Sequence, residues 1–298
     1  MSLYDAWVRE IPVANSKWDE MWKALLRKGI ARTPLWPCRE RIPLWNSSID
    51  QLEPALGILP LQKQCRDFVL IIAGGAFLFK SAHEAAPVAE AFHSKGYNAA
   101  ILDYRCRPYP NEAICSDGLR AIRMLRYRAK SAGLGRIRVI AGGFSAGGIL
   151  VSLMNMQIGR ESPPIDDEVD HESSLPDAEF FIYGAFSDAG IPERMEKGVK
   201  QICGFDMEEM RRRAKDSITT RLPLSLPPAF FAQTDDDDPL FILEMARAWR
   251  DRGVHCEAHL FHGGAHGGGL FDGRNGSEDN AHVAHWFELC CEWIEALQ

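Results

Sequence analysis

The sequence predicts an α/β fold, a mostly parallel central sheet with helices on both faces, and three observations carry that expectation. Short continuous apolar runs recur along the chain, as in Phe68-Val69-Leu70-Ile71-Ile72, and such runs suit strands buried on both sides. Longer segments with apolar residues at three-and-four spacing lie between them, so strand and helix alternate from about residue 67 onward. The composition fits: 298 residues, 46% hydrophobic and 25% charged, give ample length for a sizeable core.

Taken in order, residues 1–66 form an N-terminal arm or a partial lid, with room for first strands, and residues 67–298 form the α/β body. Trp7, Trp18, Trp22, Trp36 and Trp45 crowd the first segment, and core packing or a homodimer interface would each account for them. In the body, the strand at 68–72 precedes a helical stretch with Ala82, Ala85, Ala86, Val88, Ala89 and Phe92 on its apolar face. Asn98 to Asp103 reads as the next strand, and Ala113 to Lys130 as a long helix whose apolar positions include Ile114, Leu119, Ile122 and Leu125. Ile137 to Ala141 is a third strand and Ala146 to Gln157 a third helix. Further strands are expected at 179–183, 228–232 and 256–261, and further helices at Leu240 to Arg252 and Ala281 to Leu297. Residues 160–176, rich in acidic residues, serine and proline, read as a surface loop.

Charge and cysteine usage exclude several functions. The formal net charge is −7 and no basic tract interrupts it, which argues against nucleic acid as a partner. Arg211-Arg212-Arg213 sits beside Glu208 and Glu209 and reads as a solvated helix face. The N-terminus has no unbroken apolar region of the secretory kind, and no run approaches the ~18 apolar residues of a membrane span. The 8 cysteines include no C-x-x-C pair, which fits reduced thiols and a cytoplasmic location. His255, His259, His262 and His266 invite a metal reading, but on the expected strand His255 and His259 are alternating residues of one face, so no metal is expected. His282 and His285 belong to the final helix as surface or packing residues.

The stretch "GGFSAGG", Gly142 to Gly148, carries the chemistry. A strand that turns sharply into a helix holds its serine in strained geometry and exposes the hydroxyl, while glycines at 143 and 147 leave room for neighbouring backbone. The Ala146 N–H then opens a helix, where an oxyanion gains from unsatisfied donors and the dipole. A serine alcohol needs an oriented base. His266, in the glycine-rich run Gly263 to Gly269 after the last strand, and the acidic run Asp235 to Asp238 after the strand ending at Ala232 both fall on carboxyl-edge loops that face Ser145. The loop Ala73-Gly74-Gly75-Ala76-Phe77, after the first buried strand, suits a second set of oxyanion donors. Phe77, His83 and Glu84 beside it are expected at the substrate pocket, although Glu84 fits a helix start equally well.

Successive blocks, "AGGAFLFKSAHEAAPVAEAF", "LDYRCRPYP", "DGLRAIRMLR", "GGFSAGGIL", "SLPDAEFFIYGAFS", "LPPAFFAQTDDDD" and "HLFHGGAHGGG", resemble, in the same order, the small-acyl carboxylesterases of the α/β-hydrolase superfamily. The branch they resemble is the acetyl-xylan-esterase-like group, akin to the hormone-sensitive-lipase-like enzymes, and the likeness runs from about Ile42 to the C-terminus. It implies an α/β-hydrolase fold, Ser145 as nucleophile, His266 as general base and Asp237, three residues after Thr234, as the acid, with Asp236 the second choice. It further implies oxyanion donors at the N–H groups of Gly75, Ala76 and Ala146, a small-molecule short-acyl ester as substrate, acetylated sugars among them, and no cofactor. The chain departs from the family where Ala73 and Ala76 replace the usual ends of the oxyanion loop, a change expected to be harmless at negative φ, and between Trp45 and Phe68. The same scaffold also serves amide hydrolases of the aryl-formamidase or peptidase kind, and non-catalytic binding relatives. The triad predicts a rate that rises with pH as His266 loses its proton.

Overall fold

A computed structural model of the chain describes residues 3–36, 53–65, 67–158, 167–184, 222–237 and 239–297. Eight strands form one sheet: β1 (Arg32–Pro34), β2 (Ala55–Ile58), β3 (Asp67–Ile72), β4 (Asn98–Asp103), β5 (Arg138–Phe144), β6 (Ala178–Ile182), β7 (Ala229–Thr234) and β8 (Cys256–Phe261). Their spatial order is β1-β2-β4-β3-β5-β6-β7-β8. The run from β4 to β8 is parallel, and β1 and β2 add antiparallel pairs at one edge. Each strand expected from an apolar run is present, with ends moved by a few residues; β5, for example, continues to Phe144.

The helices are α1 (Leu3–Arg27), α2 (Ala86–Ser94, after a 3-10 turn at Ala82–Glu84), α3 (Asn111–Ser131), α4 (Ala146–Gln157), α5 (Leu240–Asp251), α6 (Ala281–Ala284) and α7 (Trp286–Ala296). The helix expected over Ala281 to Leu297 is therefore two pieces meeting at His285, the first capped by the Asn280 side chain, which accepts the Val283 N–H. Alternation along each strand feeds two cores. Phe68, Leu70 and Ile72 pack toward α3, α4 and α5 with Ile122, Leu150 and Trp249, whereas Val69 and Ile71 pack toward α1, α2 and α7 with Trp22, Phe92 and Trp286. Burying each of these large apolar side chains contributes about 1.5–3 kcal/mol, which explains why the interior strands are mostly apolar.

The N-terminal segment is more regular than its sequence indicates. Helix α1 lays Trp18, Trp22 and Leu25 against the body, where the Trp22 ring fills the space above Gly57 on β2. A buried ion cluster fixes it: Asp103, 1% exposed, accepts from Arg32 Nε at 2.8 Å, from Trp18 Nε1 at 3.2 Å and from Lys80. Trp36 covers the guanidinium groups of Arg105 and Arg120 and donates to Asp117. Trp45, Arg211 to Arg213 and residues 160–166 of the expected surface loop lie outside the described residues. Among the described residues, no helix is long and apolar enough to cross a membrane.

Candidate active site

The strand-to-helix turn compresses to a single residue. β5 ends at Phe144, α4 begins at Ala146, and Ser145 between them has φ 49° and ψ −121°. A non-glycine residue held there stores about 1–3 kcal/mol of strain that the surroundings must enforce. They do so by contact. A Cβ on Gly147 would stand 2.0 Å from the Ile72 carbonyl oxygen, and one on Gly143 would stand 2.4 Å from the Gly147 backbone. Only glycine lets α4 approach β3 and β5 so closely, and the Ser145 N–H is held by the Ile182 carbonyl at 3.1 Å.

The structure brings the three expected side chains together. Ser145 Oγ lies 2.7 Å from His266 Nε2, and His266 Nδ1 lies 2.5 Å from Asp237 Oδ2. With the imidazole neutral and its proton on Nδ1, that nitrogen donates to Asp237 while Nε2 accepts from the serine. The aspartate run divides its work: Asp235 pairs with His262 at 2.8 Å, Asp236 accepts the Gly264 N–H at 3.1 Å, and Asp237 takes His266; Asp238 lies outside the described residues. Desolvation works to lower the His266 pKa, but the hydrogen bond and charge of Asp237, with a contribution from Glu84, outweigh it and leave it above the ordinary histidine value.

The loop after β3 differs from expectation in its backbone. Gly75, Ala76 and Phe77 all have positive φ, at 125°, 55° and 56°, so Ala76 sits in the left-handed region and not at the negative φ expected of it. The loop imposes this by turning back on itself, with the Leu78 and Phe79 N–H groups both donating to the Gly75 carbonyl. At Gly75 any Cβ would meet the Phe79 carbonyl oxygen at 2.2 Å, so glycine is required there. The N–H groups of Gly75, Ala76 and Ala146 donate to no acceptor among the described residues, whereas the Gly74 N–H is taken by Glu84.

Two residues expected at the substrate pocket are elsewhere. Phe77 is fully buried in the core against Tyr104, and Glu84, 1% exposed, has both carboxylate oxygens engaged, by the Gly74 N–H at 2.7 Å and the Tyr183 hydroxyl at 2.8 Å. Neither presents a surface to a ligand: the Phe77 ring faces the core, and both Glu84 oxygens already accept hydrogen bonds. His83 is part-buried with Nε2 2.7 Å from the Gly267 carbonyl oxygen. Tyr183 is the residue the sequence reading passed over. It follows β6 with φ 39°, its ring lies tilted against His266 with centroids 5.1 Å apart, and its oxygen accepts the Gly269 N–H at 2.8 Å. The available signal was a tyrosine-glycine pair closing a buried strand at the carboxyl edge. His259 lies on β8, the sheet's last strand, paired with Glu257 at 2.7 Å, and no cluster able to hold a metal ion occurs among the described residues.

Known proteins share both sequence and architecture with this chain. Residues 58–191 match the BD-FAE family. Endo-1,4-beta-xylanase B of Butyrivibrio fibrisolvens is 23% identical over 246 residues, 77% of this chain and 38% of that protein, so the chain spans well under half of that relative's length. The acetyl ester-xyloside bifunctional hydrolase of Caldicellulosiruptor lactoaceticus is 30% identical, covering 90% of this chain and 96% of that one, with a TM-score of 0.74. A thermophilic esterase of Thermogutta terrifontis, solved with propionate bound, shares the fold at 22% identity over 90% of this chain and 94% of that one, with a TM-score of 0.65. A shared architecture at a TM-score of 0.74 and 30% identity over nearly the whole of both chains lead to one conclusion: the chain belongs to the α/β-hydrolase superfamily, among its serine carboxylesterases of the acetyl-xylan-esterase type.

Proposed function

We propose that the protein hydrolyses short-chain acyl esters, acetyl esters of carbohydrates foremost, through a Ser145-His266-Asp237 triad. The observation that carries this reading is the unbroken chain from Asp237 Oδ2 through both imidazole nitrogens to Ser145 Oγ, at 2.5 and 2.7 Å. As Ser145 Oγ attacks the acyl carbon, its proton passes to His266 Nε2, and Asp237 stabilises the resulting imidazolium without itself taking a proton. The N–H groups of Gly75, Ala76 and Ala146 receive the developing oxyanion. When the tetrahedral intermediate collapses, His266 returns the proton to the departing alkoxide and an acyl-serine remains. Water, deprotonated by His266, then repeats the sequence and frees the acid. The carbohydrate part of the proposal draws its support from two relatives, one named as an acetyl ester-xyloside hydrolase and one as a xylanase.

The test is hydrolysis of p-nitrophenyl esters from acetyl to octanoyl, and release of acetate from acetylated xylo-oligosaccharides, by wild type and Ser145→Ala with EDTA present. Turnover is expected to be fastest on acetyl and propionyl esters, resistant to the chelator and reduced by about 10⁴-fold or more in the variant. A variant that keeps its activity refutes the nucleophile; acetylated sugars left intact by an enzyme that cleaves p-nitrophenyl acetate refute the carbohydrate substrate. Turnover of N-formyl arylamides in preference to esters would make it an amide hydrolase.

A further inference from the structure

Glu84 is a buried carboxylate beside the triad that the triad does not use. Its Oε2 accepts the Gly74 N–H at 2.7 Å, its Oε1 accepts the Tyr183 hydroxyl at 2.8 Å, and the Tyr183 oxygen accepts the Gly269 N–H at 2.8 Å. Gly74 opens the loop of the oxyanion donors, Gly269 closes the glycine run that carries His266, and Tyr183 follows β6 with its ring against that histidine. One hydrogen-bonded chain thus joins three loops that meet at the Ser145 turn, where a Cβ on Gly74 would lie 2.7 Å from the Ser145 Cβ. His83 adds a parallel tie from the same 3-10 turn to the Gly267 carbonyl.

The residue type is informative. Among the described residues the partners of Glu84 are dipoles, not Lys or Arg, and a carboxylate buried on such terms costs several kcal/mol of desolvation. A glutamine would fill the space more cheaply, but its single acceptor oxygen could not receive both the Gly74 N–H and the Tyr183 O–H. Burial, and then the charge of Glu84, hold the Tyr183 hydroxyl well above its ordinary pKa, so it remains a donor. The groups that face His266 are Ser145 and Asp237 on its two nitrogens, Tyr183 against its ring, and Glu84 through its charge.

We propose that Glu84 is a positioning residue: with Tyr183 it fixes the oxyanion loop and the histidine loop relative to each other, and so holds His266 where it takes and returns the proton in each acyl transfer. The inference rests on Ser145 and His266 acting as nucleophile and base, as proposed above.

The experiment compares wild type, Glu84→Gln, Glu84→Asp, Tyr183→Phe and Ser145→Ala on p-nitrophenyl acetate over about pH 5 to 9, with thermal melting of each. Glu84→Gln is expected to lower kcat about 10- to 100-fold with KM nearly unchanged, and to move the acidic midpoint of kcat/KM to lower pH. Glu84→Asp, which restores the charge on a shorter arm, is expected to bring the midpoint back while kcat stays low. A midpoint unmoved in Glu84→Gln, with kcat falling only as the folded fraction falls, overturns the inference and leaves Glu84 a scaffold residue. Should Glu84→Gln not fold, Tyr183→Phe decides: it cuts the chain at its centre and is expected to lower kcat at constant KM, and an unchanged kcat overturns the inference. Ser145→Ala keeps the two failures apart, because activity surviving in that variant refutes the triad and not the positioning role.

Discussion

Two clusters of buried charge sit on the same sheet and answer burial in opposite ways. Beneath α1, the lone carboxylate of Asp103 meets two cations, Arg32 and Lys80, with the Trp18 indole as a further donor. At the carboxyl edge, two carboxylates, Asp237 and Glu84, act on one imidazole. In the first arrangement the carboxylate already has its cations, and the cluster anchors the N-terminal arm. The second gains a cation only when His266 takes a proton, which is the event that acyl transfer requires. An anchor is marked by cations already in place, and a proton-transfer site by a cation that forms during the reaction.

Breaking the anchor should have the largest effect on stability. Asp103→Ala leaves Lys80 and Arg32 as half-buried cations without this carboxylate and is expected to cost about 2–4 kcal/mol in urea unfolding, with the esterase kcat of the folded protein changed only a few-fold. A collapse of kcat in a folded variant would show that the two clusters are coupled through the Lys80 end of the oxyanion loop.

A third buried carboxylate sharpens the rule. Glu179 on β6 is fully buried, receives one hydrogen bond, from Asn155 Nδ2 at 2.9 Å, and has Oε1 without a partner among the described residues. Burial pushes its pKa up to about 8, against the opposing pull of the Asn155 bond, so with neither cation nor second donor it holds a proton. Its folded pKa lies above the unfolded value, so its favourable contribution is fully present below about pH 4.3 and is lost as pH rises through about 8. Glu179→Gln removes that dependence and should stabilise the protein by about 1–3 kcal/mol at pH 8 and by less at pH 5, with activity unchanged. Equal effects at the two pH values in urea unfolding would remove the proton from the explanation.

The smallest expected effect is on the position of a titration. His266 must be neutral to act as base and its pKa is raised, so kcat/KM should fall as pH drops through a midpoint above the ordinary histidine value of about 6.5. A midpoint below that value would mean that desolvation outweighs the two carboxylates.

The body of the fold was legible because doubly buried strands are mostly apolar, so β3 to β7 stand out as apolar runs between amphipathic helices. The Ser145 turn was legible for a related reason: the close approach of α4 to β5 and to the end of β3 restricts positions 143 and 147 to glycine, and both glycines flank Ser145 in the sequence. The N-terminal arm was less so. β1, at the edge, and β2 beside it have three and four residues, too few to show a period, and α1 contains Pro12, which breaks a helical reading.

The sequence by itself determined the α/β order, the place of the nucleophile elbow and the two loops that must face it, because each follows from periodicity or turn chemistry within a few residues. Only the tertiary structure decided which aspartate of the 235–237 run meets His266, that Ala76 takes a positive φ, and that Glu84 turns from the substrate pocket to Tyr183, 99 residues away. Those choices depend on which donors a buried polar group finds, and the donors come from loops that only the assembled sheet brings together.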